Sequence, residues 1–437
     1  MRPTRSVSPS TCSITPVRNS RTHRIRRRQI MDKKQVGPLS GYRVLDLTVM
    51  TAGPVGTVLL ADLGADVIKV EEPKAGDLSR NLGNQFVRGE SVQFLSQNRN
   101  KRSIRLDLKS PKGRDAFLRM AEQADVVVEN FRPGTVDRLG IGYEDVKARN
   151  PMIVYASVSA FGQSGPYAAW PANDPIVQAV AGLMDMTGEA GGNPVRLGAP
   201  LPDFGAAALL AFGISAALLH RERHGEGQRI DTSLLSAALF STIPRDGETL
   251  RSGKAPERLG SGHPTMVPYR NYQGSDGRYF FAACFTEKFW QNLCRALGRE
   301  ELLSDERFVG NTARTANRHA LDVILEQEFL LHTAEYWVAH LSAADVPCAI
   351  VQDYHTALTE DPQIAHNHAV VEIEHPVAGR VTNIASPVNF HGSPVAYRRP
   401  PPTLGQHTAE VLAEFGFAEE EIAALEGREP AAAGAKS

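Results

Sequence analysis

From Gly41 onward the chain alternates short β-branched runs with longer amphipathic stretches, and this alternation restricts the fold more than any other feature. Strand, helix and strand in repeated succession build a parallel sheet covered by helices, an α/β architecture. Residues 42–47 read as the first strand, 66–71 as the second, 103–108 as the third, 125–129 as the fourth and 153–158 as the fifth. Thr51-Ala52-Gly53-Pro54 makes the turn into a helix reaching about residue 63, with Pro54 at its first position. Pro111 opens another helix after the third strand. Together these elements make a Rossmann-like half. Helical patterns follow at 175–185 and, rich in Ala and Leu, at 203–223; the second reads as buried on most sides.

Composition changes after about Thr249 to polar, Gly-containing and basic sequence, followed by an aromatic strand-like run at 278–284. The domain plan is a leader over 1–39, the N-terminal part of a large domain over 40–244, a smaller central α+β domain over 245–330, a return to the large domain over 331–425, and a disordered tail over 426–437. A helix at 334–343, a strand at 348–352 and a Pro-rich, extended stretch at 386–404 belong to the return. Extended sequence of that kind wraps over a surface instead of forming its own core.

Several function classes are disfavoured by content alone. The four cysteines, Cys12, Cys284, Cys294 and Cys348, are far apart and contain no CxxC pair, which fits neither a zinc site nor a disulfide framework. The apolar runs are short or interrupted, so no membrane span is read. Residues 1–30 hold eight arginines and no acid, so the rest of the chain carries −9 although the total is −1. A body that acidic is a poor partner for nucleic acid. The leader has the composition of an organellar transit peptide; the alternative is translation from Met31, which immediately precedes the first folded-looking sequence. Cytoplasmic location follows from the second reading and mitochondrial location from the first.

Spacing alone leaves the chemistry open. The 51–54 turn would let a phosphate approach backbone N–H groups at a helix start, yet it is not GxGxxG, and GxxxxGK[ST] is absent. Basic residues in Asn98-Arg99-Asn100-Lys101-Arg102, with Lys109, Arg132 and Arg138, form a candidate site for a ligand with several phosphates or, read individually, a solvated surface. Asp174 follows a loop of turn formers and precedes Pro175, which suits either a helix cap or a nucleophile. Gly260-Ser261-Gly262 is either a plain loop or a lid that supplies N–H groups to an oxyanion. No GxSxG elbow occurs, and His366, His368 and His375 lack a recognisable metal spacing.

Seven ordered strings narrow these alternatives. They are Val44-Leu45-Asp46-Leu47 with Ala52-Gly53-Pro54, LGADVIKVE at 63–71, NRNKRS at 98–103, VENFRPG at 128–134, FGQSGP at 161–166, His263-Pro264 with Val267-Pro268-Tyr269, and LGQHT at 404–408. Over residues 40–417 the chain resembles the class III CoA-transferases, a group that includes formyl-CoA transferase, carnitine-CoA transferase and succinyl-CoA-dependent relatives. The resemblance implies a Rossmann-like large domain assembled from both ends of the chain, a small central domain and an interlocked homodimer. It implies that CoA is contacted near Thr51 and Ala52, by Leu106 and Lys109, by Asn130, Phe131 and Arg132, and by Arg138. Formyl-CoA transferase has Gln where this chain has Thr51, and Arg where it has Glu72, so the chain departs from that relative at two positions along the implied nucleotide site.

The nucleophile implied by the resemblance is Asp174, acting through a mixed anhydride and an aspartyl-CoA thioester. Gly260 and Gly262 are then the oxyanion-stabilising loop. The substrates implied are an acyl-CoA thioester, with succinyl-CoA as first choice, and a carboxylic acid; no permanently bound cofactor and no metal are called for. The same fold serves α-methylacyl-CoA racemases, whose His directly precedes the aspartate matching Asp174. Here that position is Asn173, which has no basic nitrogen, although the second member of the pair is present as Asp203. A non-catalytic CoA-binding protein is the remaining alternative.

Overall fold

The computed structural model describes residues 37–428; the Arg-rich leader through residue 36 and residues 429–437 lie outside that span. Six parallel strands make the main sheet: β1 Arg43–Asp46, β2 Asp66–Glu71, β3 Lys101–Arg105, β4 Val126–Glu129, β5 Val154–Ser159 and β6 Gln228–Ser233. Their spatial order is β3-β2-β1-β4-β5-β6, so the direction of winding reverses between β1 and β4. β6 escaped the sequence reading because its QRIDTS string sits at the sheet edge, where most of its side chains are not buried. β3 starts at Lys101, two residues before the expected Ser103, because its first two basic side chains are neutralised inside the protein.

Strand side chains alternate between two cores, as the period of two requires. Val44, Val67, Val126 and Val128 face one layer, formed by α1 Ala52–Asp62, α4 Leu201–His224 and α5 Leu234–Phe240. Leu45, Ile68 and Val127 face the other, which contains α2 Pro111–Ala121, α10 Thr408–Glu414 and α11 Glu419–Glu426. Val411, Leu412, Phe415 and Ile422 are buried there. At roughly 1.5–3 kcal/mol per buried side chain, these four hold the C-terminal end of the chain on the sheet built by its N-terminal half.

Between α5 and α10 lies a third core around β7 Tyr269–Gln273, β8 Tyr279–Ala283 and β9 Cys348–Ile350, an antiparallel sheet in the order β9-β8-β7. Trp290 of α7 Glu287–Ala296, Leu325 of α8 Arg318–Phe329 and Trp337 of α9 Ala334–Ala343 fill it. This core extends past the expected limit at residue 330, because β9 pairs with β8 and Val346 is buried in it. A hairpin of β10 Val370–His375 and β11 Gly379–Ile384 follows. The stretch 386–404 then runs without helix or strand. It is tied down by Asn100 N–H to Arg399 O at 3.0 Å and by Arg398 Nη2 to Ala61 O at 2.8 Å.

The ends of the plan shift as well. Leu39 is buried, and its N–H donates to Leu63 O, so the folded region begins inside the expected leader. Arg428 pairs with Glu419 and Glu426, so order continues past the expected start of the tail at 426. Helix α4 is also not buried on most sides: Ala206, Leu210 and Ile214 pack inward, while Phe212 is 72% exposed and Leu219 51%. By length and hydropathy alone α4 is long and apolar enough to cross a membrane, although its inward face belongs to the core beside the sheet.

Candidate active site

The turn leaving β1 is fixed residue by residue by buried side chains. Asp46, the last residue of β1, accepts hydrogen bonds from Thr48 N at 2.9 Å, Thr57 Oγ1 at 2.8 Å and Lys101 Nζ at 3.0 Å. Lys69 Nζ donates to Thr48 O at 2.6 Å and pairs with Asp77 at 2.7 Å. Asp77 in turn accepts Met50 N–H at 3.1 Å, and Met50 has a φ of 71°. A non-glycine residue there is uncommon and persists only where its surroundings over-determine it. Asn130 closes the set, accepting Val49 N–H at 2.9 Å and donating to Val49 O at 2.7 Å. Gly53 is required for packing, since a Cβ would lie 2.4 Å from Thr48 Cβ. Pro54 is third in α1 instead of first, and Thr51 occupies the cap position without a side-chain cap bond.

Charge in this network is nearly balanced. Burial alone would push the Asp46 carboxyl up, but Lys101 and Lys69 hold it below the usual carboxylate range. The two lysines differ: burial pushes Lys101 down to about 8 despite Asp46, whereas Lys69, set against Asp77 and Asp46, rises despite its burial. The expected phosphate-binding role of the 98–102 string is overturned here. Arg99 pairs with Asp62 at 2.6 Å, Lys101 with Asp46 at 3.0 Å and Arg102 with Asp66 at 2.6 Å, and all three side chains are buried. Their charges are neutralised within the protein, so they hold strands together instead of facing a ligand.

A cavity of about 270 Å³ opens beside the turn and brings together Val49, Leu106, Lys109 and Phe131, with Glu72 at its wall. Glu72 accepts Ala75 N–H at 2.6 Å and Lys74 N–H at 3.0 Å, and these hold its carboxyl below the usual range. Ala52 is buried. Arg132 and Arg138 are exposed, and Arg138 donates to Thr135 Oγ1 at 3.0 Å. Of the residues predicted to meet CoA, Leu106, Lys109 and Phe131 thus line one cavity, while Asn130 braces the turn beside it.

Asp174 is the first residue of α3 Asp174–Val180 and is 4% exposed. The cap position belongs to Asn173, whose side chain makes no cap bond, so the helix-cap reading of Asp174 fails. Its carboxylate is engaged elsewhere: Oδ1 accepts Gln178 Nε2 at 2.5 Å and Oδ2 accepts the backbone N–H of Asp203 at 3.1 Å. Among the described residues neither of these bonds comes from a Lys, Arg or His side chain. Burial and the neighbouring Asp174 charge push the Asp203 carboxyl up to about 7. On the loop before α3, Tyr167 stacks on Trp170 with ring centroids 4.1 Å apart.

The glycine loop is closed on itself. Gly260 has a φ of 57°, and its N–H donates to Gly188 O at 2.9 Å, while Gly262 N–H donates to Leu259 O at 2.8 Å. In this conformation neither amide is available to an oxyanion. A Cβ on Gly260 would lie 2.4 Å from the Glu189 carboxylate, so glycine is needed on grounds of both space and backbone. The loop borders a cleft of about 420 Å³ shared with Met186, Lys254, Arg318 and Arg245 of α6 Arg245–Ser252. Among the described residues no group of three or more His, Cys, Asp or Glu side chains is placed to hold a metal.

A sequence model of CoA-transferase family III matches residues 39–408. The chain belongs to that family. Human succinyl-CoA:glutarate CoA-transferase is 37% identical over 384 residues, 88% of this chain and 87% of its own. The acetyl-CoA:oxalate CoA-transferase of Acetobacter aceti is 39% identical over 388 residues, 88% of this chain and 98% of its own. Among solved structures, a CaiB/BaiF family protein from Brucella suis superposes with a TM-score of 0.78 at 36% identity, over 87% of this chain and 100% of its own.

Within the family III chain, sequence reasoning missed Gln178 altogether and reached Asp203 only through the resemblance. The i, i+4 spacing of Asp174 and Gln178 was a usable signal, since such pairs share a helix face. No local signal places Asp203, at the start of α4, against a carboxylate 29 residues earlier.

Proposed function

We propose that this family III protein transfers CoA from an acyl-CoA thioester to a carboxylic acid with Asp174 as the nucleophile. One observation carries the proposal: a buried carboxylate whose oxygens meet an amide and a backbone N–H but no cation among the described residues. A counter-cation would lower the energy of the lone pairs that must attack; neutral donors orient the group without that penalty. Asp174 attacks the thioester carbonyl, the C–S bond breaks, and CoA leaves as thiolate. The thiolate then attacks Cγ of the mixed anhydride, giving an aspartyl-CoA thioester and releasing the donor acid. The acceptor acid reverses the sequence through a second anhydride. The thioester itself supplies the reactive group, so the reading calls for no resident cofactor.

The cavity at Leu106, Lys109 and Phe131 is the proposed seat of CoA, with further contacts proposed from Thr51 and Ala52 at the start of α1, from Asn130, which braces the turn, and from the exposed Arg132 and Arg138 to its phosphates. Ligands of α/β sheets bind beyond the C-terminal strand ends, at the point where strand order reverses. The β3-β2-β1-β4-β5-β6 order supports a Rossmann-like reading of this half. Succinyl-CoA is the proposed donor, supported by the names of relatives that use it. A homodimer is proposed as well, since Phe212, Phe240 and Leu250 are left open on a single chain.

Incubation with acyl-CoA and hydroxylamine tests the reading. A hydroxamate at Asp174 is the expected result, and its absence with every thioester tried would sink it. Deuterium uptake at the α-carbon without an acid acceptor would mark an epimerase, a reading opposed by the lack of a basic nitrogen on Asn173. A screen of donors against dicarboxylic and hydroxy acids identifies the acid pair.

A further inference from the structure

We propose that Gln178 is the catalytic donor to the oxyanion that forms on Asp174 itself when CoA attacks the anhydride. The inference rests on the reading of Asp174 as nucleophile. Gln178 is fully buried and its amide cannot turn around: Oε1 accepts Leu197 N–H at 2.9 Å, which leaves Nε2 to donate to Asp174 Oδ1 at 2.5 Å. Oδ2 has only the longer bond from Asp203 N–H at 3.1 Å. The two oxygens are therefore unequal. Oδ2, less tightly engaged, is the attacking atom and becomes the bridging oxygen of the anhydride, while Oδ1 remains the carbonyl oxygen.

The next step places charge on Oδ1. The CoA thiolate forms a bond to Cγ, the Cγ=Oδ1 electron pair moves onto Oδ1, and the intermediate collapses by breaking the Cγ–Oδ2 bond. The donor acid leaves as carboxylate carrying Oδ2, and the aspartyl-CoA thioester retains Oδ1. Throughout this step Oδ1 faces a donor that is already in place and needs no reorganisation. Gly260 and Gly262 do not meet this need as they stand, since both of their N–H groups are bonded within the protein.

Rapid-quench measurement of aspartyl-CoA formation on the full-length enzyme tests the assignment, with succinyl-CoA as probe and mass spectrometry to locate the adduct. Gln178→Leu is expected to slow adduct formation by about 10²-fold, the usual effect of losing one oxyanion donor, with KM for the thioester little changed. Gln178→Glu keeps the shape and the acceptor for Leu197 N–H, so it serves if the Leu variant fails to fold. The titratable groups then near the Asp174 carboxylate are the introduced carboxyl and that of Asp203. The rate of the Gln178→Glu variant relative to the native enzyme should fall at least about tenfold between pH 6 and pH 8.5, as the introduced carboxyl loses the proton it must donate. A Gln178→Glu enzyme at the native rate throughout that range, or a folded Gln178→Leu enzyme that forms the adduct at the native rate, overturns the role of Gln178 and leaves the nucleophile standing. Absence of any Asp174 adduct in the native enzyme overturns both.

Discussion

Asp46 and Asp174 are both buried aspartates, yet their surroundings differ above all in the number of cations. Asp46 sits in a network with Lys101 and Lys69, and every bond it makes fixes the chain around the β1 turn. Asp174 has the Gln178 amide, one backbone N–H and a second carboxyl as neighbours. Burying a charge costs several kcal/mol unless it is compensated. At Asp46 the compensation is complete and the result is a rigid brace. At Asp174 it is partial, which suits the role of nucleophile proposed for it.

The largest effect expected from breaking this contrast is on turnover. Asp174→Asn should lower kcat by at least about 10⁴-fold, while calorimetry finds CoA affinity within about threefold of native, because the cavity at Leu106 and Phe131 is untouched. At the other site the loss should appear in stability. Lys101→Met leaves Asp46 with one cation fewer and should cost about 3–5 kcal/mol in urea unfolding. Adding Asp46→Asn should recover part of it, as expected for coupled groups.

The uncompensated site also predicts a dependence on pH. The Asp203 carboxyl stands at about 7 in the folded protein against an ordinary 3.8, so the native state keeps a proton that the unfolded chain has released. Its contribution to stability is present in full below about pH 4, declines as pH rises towards 7 and is constant above. Asp203→Asn retains the backbone N–H to Asp174 and removes the decline. Relative to native protein it should gain roughly 4 kcal/mol between pH 4 and pH 8, read from denaturation midpoints. The smallest effect belongs to an ion pair in water: Lys288 and Asp345 are 2.6 Å apart but 70% and 65% exposed. Lys288→Ala should change stability by less than about 0.5 kcal/mol, a baseline against which the Lys101 result can be judged.

Much of the sheet was legible because hydrophobic period and turn chemistry are local. The strand Asp66–Glu71 and the helix Ala334–Ala343 lie where their patterns placed them. What escaped depended on partners. β6 is polar because it is an edge, and β3 begins with Lys101 and Arg102 because Asp46, Asp66 and Glu414 neutralise them. The same blindness made the 98–102 string look like a phosphate site.

For the site, sequence by itself determined the residue types and the family strings, and through the resemblance they imply it pointed to Asp174 beside Asn173, since those are statements about order along one chain. Only the tertiary structure decided that Asp174 is not a helix cap, that Gln178 is locked by Leu197 to face it, that Asp203 lies against it, and that Gly260 and Gly262 have their N–H groups engaged. Each of these depends on whether a polar group has a partner within about 3 Å, and three of the partners, Asp203 for Asp174, Leu197 for Gln178 and Gly188 for Gly260, come from segments distant in sequence.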